Sequence, residues 1–343
     1  MEQTTEKLSR ETLEKNYMVG STIRDGLRDV LDRESGRLAK IMDRWFASGV
    51  EHLHLVGCGG SRAVLEPAKW LMDKFSGVPV DAYTGWEFVT RNPYRLNLRT
   101  PVVVGSHSGT TEEILASVEV AHCKDAPTLS FSRAGTLLSE AASDALTYSS
   151  PATNLSKLLM NYMVAVEMIE RSGDAGAARE LRAALDNLPE VLHEVKEQTD
   201  EMGKQLAAKY HDRKGFYLVA AGPLSGLAYQ FATCNLLEMQ WKHASVYNAG
   251  EWAHGPLEIV DDGVPFIFLL GNDETRPVTE RALKFTQRHG GDCVVLDLAD
   301  FPNLHPWIAP FALHMPLEWW LLYMGVLNEH PISTRRYMGL VEY

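Results

Sequence analysis

Three places in this sequence carry side chains whose types and spacing can do chemistry. The first is Ser106-His107-Ser108-Gly109-Thr110-Thr111-Glu112-Glu113, which sets the hydroxyls of Ser106, Ser108 and Thr111 around what reads as the start of a helix. Free N–H groups and the dipole at a helix start favour an anion. Hydroxyls hold a phosphate by hydrogen bonds without adding charge, so it can later leave. The same residues also describe a plain capped helix start, with Thr110 or Ser108 as the cap and two acidic residues in the first turn. The second place is Gly57-Cys58-Gly59-Gly60-Ser61. Its glycines let backbone N–H groups approach a ligand, but Arg62 stands where a dinucleotide fingerprint has its third glycine.

The third place is Glu238 with His254. Glu238 lies near the end of a helical run whose other positions are mostly apolar (Phe231, Leu236, Leu237, Met239, Trp241). Such neighbours disfavour the charged carboxylate and move it toward acid–base chemistry. The alternative is a surface glutamate paired with Lys242 or Lys204. His254 stands in a Gly/Pro-bounded loop after a strand, a common place for a reactive side chain and equally for an idle one. His52 and His54 alternate along a strand and suggest a metal pair. With no third ligand near them in the sequence, we read them as strand residues and expect no metal. His305 and His314 read as packing or surface residues.

Positioning such groups falls to strands that alternate with helices. Strand-like runs at residues 52–56, 78–83, 101–105 and 127–131 are separated by helical stretches, after a polar-faced helical segment over residues 4–46. That order predicts a parallel sheet covered on both faces. Residues 155–210 read as helical throughout, broken near 172–176, and then the alternation resumes. Leu55-Val56-Gly57 pairs with Leu218-Val219-Ala220 at an offset of 163 (218 − 55), and Val104-Gly105-Ser106 with Leu270-Gly271-Asn272 at 166 (270 − 104). The order is kept and the drift is small, so we expect a duplicated doubly wound domain. In such sheets ligands bind beyond the carboxyl ends of the strands, where both glycine- and hydroxyl-bearing loops fall. Asn272-Asp273-Glu274 occupies the second-half equivalent of the hydroxyl loop, and its carboxylates would repel a phosphate.

The 343 residues suffice for two domains with their own cores. The net charge of −12 excludes a nucleic-acid-coating protein, which needs a basic face. It leaves room for a small anionic ligand. No apolar run approaches the ~18 residues of a membrane-spanning helix, and the start reads as free of a signal peptide. The four cysteines, Cys58, Cys123, Cys234 and Cys293, are scattered. They suit neither a disulfide scaffold nor a zinc site, and we expect reduced thiols in a cytoplasmic protein.

Together these residues resemble the SIS (sugar isomerase) family, which includes the isomerase domain of glucosamine-6-phosphate synthase, from about Asp43 onward. Ser-x-Ser-Gly-x-Thr, here Ser106 to Thr111, resembles that family's phosphate loop, with Ser61 as a further ligand and Gly60 and His107 beside them. In that isomerase a glutamate moves a proton between C1 and C2, and a histidine 16 residues later opens the ring; here 254 − 238 = 16. Within the family the sequence is most similar to the fructosamine-6-phosphate deglycases, through Gly85-Trp86-Glu87-Phe88, Ala220-Ala221-Gly222-Pro223-Leu224, the run HGPLEIV from His254, and the ending with Arg335, Arg336 and Tyr343.

The resemblance implies an α/β fold of two doubly wound, flavodoxin-like parallel-sheet SIS domains in tandem. The boundaries would be an N-terminal helical segment at 1–45, a phosphate-binding domain at 46–190, a catalytic domain at 205–327 and a tail at 328–343. It implies cleavage of a 6-phosphofructosyl amino acid to glucose 6-phosphate and the free amino acid, with Glu238 as proton shuttle and His254 as ring-opening acid. No cofactor or metal would be needed. Arg335, Arg336 and Tyr343 are candidates for closing over the substrate. A homodimer or higher homo-oligomer is implied, with active sites near the interface and a histidine that can come from the neighbouring subunit. The competing readings are a phosphosugar aldose–ketose isomerase and a non-catalytic sugar-phosphate sensor.

Overall fold

The structure, a computed structural model, describes residues 10–16, 18–149 and 153–342. The chain divides into two compact units, one of residues 22–190 and one combining residues 1–21 with 191–343. The division falls inside a long helix, Leu188–Tyr210. Residues 1–45, read as one helical segment, therefore distribute over both units.

The first unit opens with helix α1 (Ile23–Ala47), whose buried Leu27, Val30, Leu31, Leu38, Ile41 and Met42 recur at helical spacing. Then come β1 (Leu53–Gly57), α2 (Leu65–Phe75), β2 (Val80–Tyr83), α3 (Gly85–Arg91), β3 (Val102–Gly105), α4 (Glu112–His122), β4 (Thr128–Ser132) and β5 (Asp144–Thr147). Helices α5 (Thr153–Ser172) and α6 (Ala175–Asp186) complete it. The sheet is parallel throughout, in the order β2-β1-β3-β4-β5. β1 and β3 are buried at every residue, as strands covered on both faces must be. One face carries α3 and α4 over a core of Val56, Phe88, Val104, Ile114 and Val118. The sequence reading ended the alternation at β4 and missed β5. Asp-Ala-Leu-Thr is short and lies at a sheet edge, so it lacks the continuous apolar run that marked the central strands.

The second unit holds α7 (Leu188–Tyr210, from 191 on), β6 (Gly215–Ala220), α8 (Leu224–Gln230), a π-helix (Phe231–Met239), β7 (His243–Asn248), β8 (Phe266–Leu270), α9 (Arg276–Arg288), β9 (Cys293–Asp297) and α10 (His314–Leu327). Its parallel sheet runs β7-β6-β8-β9. That is the order of the first four strands of the other sheet. Two faces are distinguishable by residue parity. Val219, Phe266 and Phe268 pack with Trp252 and Ala282 of α9. On the other face, Phe216 meets Trp320 of α10 edge-on and Phe231 packs against it at a tilt. Helix α10 is buried on nearly all sides from His314 to Gly325, which accounts for its mostly apolar character, and its buried Glu318 lies 2.9 Å from His314 Nε2. Among the described residues, no helix is long and apolar enough to cross a membrane.

Candidate active site

In the first unit, Gly57 and Gly105 end adjacent strands in register, so the loops that follow β1 and β3 leave the same edge of the sheet. A Cβ at Gly105 would stand 3.5 Å from that of Ser61, which places the Ser61 side chain over the end of β3. Ser61 and Ser106 are buried. Ser106 Oγ lies 2.7 Å from Thr111 Oγ1 and 3.4 Å from Ser108 Oγ, and accepts from the Gly109 N–H at 3.1 Å. Ser108 Oγ accepts from the Thr110 N–H and hydroxyl at 3.2 and 3.0 Å. Thr111 is the N-cap residue of α4, yet no side chain caps that helix. The hydroxyls of the loop bond to one another and to loop amides, and the Thr111 side chain makes no cap hydrogen bond to α4. The plain-cap alternative is thereby disfavoured.

The sequence reading missed the cation beside this loop. Lys157 of α5 is buried and donates from Nζ to Ser61 Oγ at 2.7 Å. Gly60 makes room for that helix, since a Cβ there would lie 2.9 Å from Asn154 Oδ1. The signal was present in Thr153-Asn154-Leu155-Ser156-Lys157-Leu158-Leu159, where a lysine interrupts an apolar stripe that faces the core. A buried ammonium beside three hydroxyls and a helix start is a setting for a phosphate dianion.

His107, placed by the sequence reading among the phosphate ligands, has another engagement. Its Nδ1 lies 3.0 Å from the Tyr148 hydroxyl. Desolvation first, then the charges of Lys157 and Arg133, push its pKa down to about 4. Desolvation, aided by the two cations, thus keeps the imidazole neutral at pH 7. Burial raises the pKa of Tyr148 far above its usual range, so that hydroxyl stays protonated. Arg62 pairs with Glu66, four residues on at the start of α2.

In the second unit, Glu238 sits near the end of the π-helix and is about a quarter exposed, 23%. Helices of this type are frequent at functional sites. Neither lysine proposed as its partner serves. Lys242 donates to the His211 carbonyl at 2.8 Å, and Lys204 lies 3.9 Å from Glu201. The partner is Arg335, whose Nη2 lies 2.7 Å from Glu238 Oε1. The guanidinium is itself anchored to the Ile332 and Thr334 carbonyls at 2.6 and 3.1 Å. Arg336 lies 4.2 Å over the Trp241 ring, a cation–π contact. Tyr343 lies outside the described residues. Arg335 also lines a cavity of about 850 Å³ with Leu13, Asn16, Leu322, Ile332 and Met338.

His254 is exposed, two residues beyond the buried Trp252, and its backbone N–H donates to the Glu251 carbonyl at 2.9 Å. The chain does not bring it to Glu238. Trp252 packs on Phe266 and Phe268, the face covered by α9, whereas the π-helix covers the opposite face with α10. The segment leading to His254 thus packs on one face of the sheet and the π-helix that carries Glu238 on the other.

The equivalent of the hydroxyl loop in this unit is filled from within. Asp273 Oδ1 accepts from the Thr275 N–H and hydroxyl at 2.8 and 2.6 Å. Arg276 forks onto Asp297 at 2.7 and 2.6 Å and also reaches the Gly271 carbonyl and Asn272. These mutual contacts consume the groups a phosphate would need.

A further cluster lies at the other end of β1. The expectation that His52 and His54 lack a third ligand fails, because parallel pairing sets Asp81 of β2 opposite His54. The carboxylate is 27 residues from His54 along the chain (81 − 54), and only the sheet brings it there. His54 is buried, and desolvation with the neighbouring His52 lowers its pKa to about 4.

Paired units with parallel sheets in the order 2-1-3-4 and a hydroxyl-lined loop after the third strand define the SIS class. No protein-family model matches the chain. A Bacillus subtilis structure of the phosphosugar isomerase type superimposes with a TM-score of 0.81 at 32% identity, covering 91% of this chain and 97% of that one. The fructoselysine 6-phosphate deglycase of Escherichia coli is 36% identical over 331 residues, 96% of this chain and 97% of the relative. The fructosamine deglycase FrlB of Bacillus subtilis is 35% identical over 311 residues, 86% of this chain and 93% of the relative. The chain belongs to the fructosamine-6-phosphate deglycase family of SIS proteins, and it is an enzyme.

Proposed function

We propose that this enzyme cleaves 6-phosphofructosyl amino acids to glucose 6-phosphate and the free amino acid. The observation that carries the reading is the buried Lys157 ammonium on Ser61, beside the mutually bonded Ser106, Ser108 and Thr111. This set suits the 6-phosphate, the one group every such substrate shares. Gly60 supports it by admitting α5, and His107 stays neutral at its rim.

Glu238 is the proton shuttle. As carboxylate it takes a proton from C1 of the open-chain ketosamine, giving an enaminol, and returns it at C2. The resulting imine carbon at C1 is attacked by water, and the amine leaves as the free amino acid. Arg335, 2.7 Å from Oε1, aims the carboxylate. Arg335 and Arg336 lie on the tail that adjoins this carboxylate, which supports a role for them at the substrate. His254 protonates the ring oxygen in the opening step. The packing of its segment on the sheet face opposite the π-helix supports a histidine contributed by a second copy of the chain, hence a homodimer as the smallest active form.

The test is a coupled assay of glucose 6-phosphate release from a panel of 6-phosphofructosyl amino acids. Release from one member, with the matching amino acid in equal amount, is the expected result. Glu238→Gln is expected to abolish turnover while sugar-phosphate binding persists. Near-normal turnover in that variant removes Glu238 from the mechanism. Fructose 6-phosphate formed from glucose 6-phosphate, with silence across the panel, replaces the deglycase reading by an isomerase.

A further inference from the structure

We propose that His52, His54 and Asp81 form a binding site for a divalent transition-metal ion, with zinc the ion their chemistry suits. Two-residue periodicity sets His52 and His54 on one face of β1. Their rings stack at 4.5 Å with an interplanar angle of 21°. The register His54↔Asp81 lays the carboxylate alongside. One ligand atom from each residue lies within 4.8 Å of the other two, and His52 Nε2 is 2.9 Å from Asp81 Oδ2. A tetrahedral zinc ion with bonds of about 2.0–2.1 Å needs its ligand atoms about 3.4 Å apart. Closing the cluster onto an ion is a movement on the order of 1 Å.

A second observation points to a ligand independently. His54 is 3% exposed, and neither ring nitrogen has a hydrogen-bond partner among the described residues. Its neighbours on this face are the rings of Tyr83 and Phe88, at 5.8 and 5.9 Å. Buried polar groups are seldom left in that state, because the lost hydration is not replaced. A metal ion on one nitrogen replaces it.

The remaining features fit an ion entering from solvent. The His52 and Asp81 side chains are 19% and 51% exposed, and His52 lines a cleft of about 630 Å³ with Glu51, Tyr94 and Asn97. The Tyr83 hydroxyl donates to Asp81 Oδ2 at 3.3 Å, orienting the carboxylate as outer partners of metal ligands do. Two imidazoles and one carboxylate form the nitrogen–oxygen set of zinc, with a fourth position left for water. His52 precedes β1, whereas Ser61 follows its far end, so the ion takes no part in phosphate binding. Its effect is to clasp the edge strand β2 to β1.

The full chain, stripped with a chelator, is titrated with zinc by calorimetry and with cobalt(II) by visible absorption. One tight equivalent is expected, with the intense bands of four- or five-coordinate cobalt and a melting temperature that rises with zinc. His54→Phe keeps an aromatic ring between Tyr83 and Phe88, and Asp81→Ala removes an exposed carboxylate. Each is expected to lose that equivalent, and Tyr83→Phe to weaken it by roughly 10-fold. Should His54→Phe not fold, His52→Gln at the exposed end gives the same reading. Absence of saturable zinc binding in the parent overturns the proposal. So does a tight equivalent that persists in both His52→Gln and Asp81→Ala.

Discussion

Lys157 is the side chain whose importance the fold creates. In sequence it interrupts an apolar stripe, and in the structure it is a buried ammonium on Ser61 Oγ. Lys157→Met is expected to raise the dissociation constant for a sugar phosphate by about 10- to 100-fold, since a hydrogen bond to a charged group is worth roughly 1.5–3 kcal/mol. Ser108→Ala removes a neutral donor and is expected to weaken binding less; calorimetry measures both. Equal affinity in the Lys157 variant would place the phosphate elsewhere. His107 supplies a pH dependence. Its pKa of about 4 in the folded chain lies below the unfolded value of about 6.5. As pH falls through that interval the unfolded chain takes up the proton and the folded one does not. Stability from this group is therefore complete above about 6.5 and lost progressively down to about 4. Melting temperatures from pH 7.5 to 4 are expected to fall less steeply in His107→Gln than in the parent.

At the scale of elements, the anion loop depends on the turn at Gly109. Its φ is +68°, and a Cβ there would overlap the Thr136 side chain. Gly109→Ala is expected to displace Ser108 and weaken sugar-phosphate binding even if the protein still folds, a combination that calorimetry and thermal melting separate. A milder change tests the support of α3. Thr84 caps this helix in a capping box, its hydroxyl accepting from the Glu87 N–H while the Glu87 carboxylate accepts from the Thr84 N–H. Thr84→Ala is expected to cost about 1 kcal/mol of stability without changing phosphate affinity. The contrast between the two loops after β3 and β8 belongs to this scale as well. One leaves its helix start uncapped, and the other spends it on Asp273, Thr275 and the Arg276–Asp297 fork. Similar topology in the two units thus carries two differently bonded loops.

At the scale of the whole molecule, the π-helix that carries Glu238 and the segment leading to His254 pack on opposite faces of one sheet. If an active site draws them from different copies, Glu238→Gln and His254→Ala are each inactive alone but complement when mixed. In a randomly mixed dimer population half the molecules are heterodimers. Each heterodimer has one of its two sites intact, so about a quarter of parental activity is expected. An inactive mixture, with subunit exchange verified, would return both residues to one chain.

The sequence by itself determined the parts that follow from local pattern. Continuous apolar runs marked the buried central strands, and glycine- and hydroxyl-bearing segments after β1 and β3 marked the ligand end of the sheet. The second-half carboxylates at Asp273 and Glu274 marked a loop that differs chemically from Ser106–Thr111. A short polar edge strand such as β5 has no such pattern, and it was missed. Tertiary structure alone decided which charges meet. Arg335, rather than Lys242 or Lys204, faces Glu238, and Lys157 reaches Ser61 across 96 residues. Asp81 joins His52 and His54 through strand pairing. The physical reason is common to all three. Periodicity fixes which face of its own element a side chain occupies, but the partner across a sheet or between helices depends on packing that no local window contains.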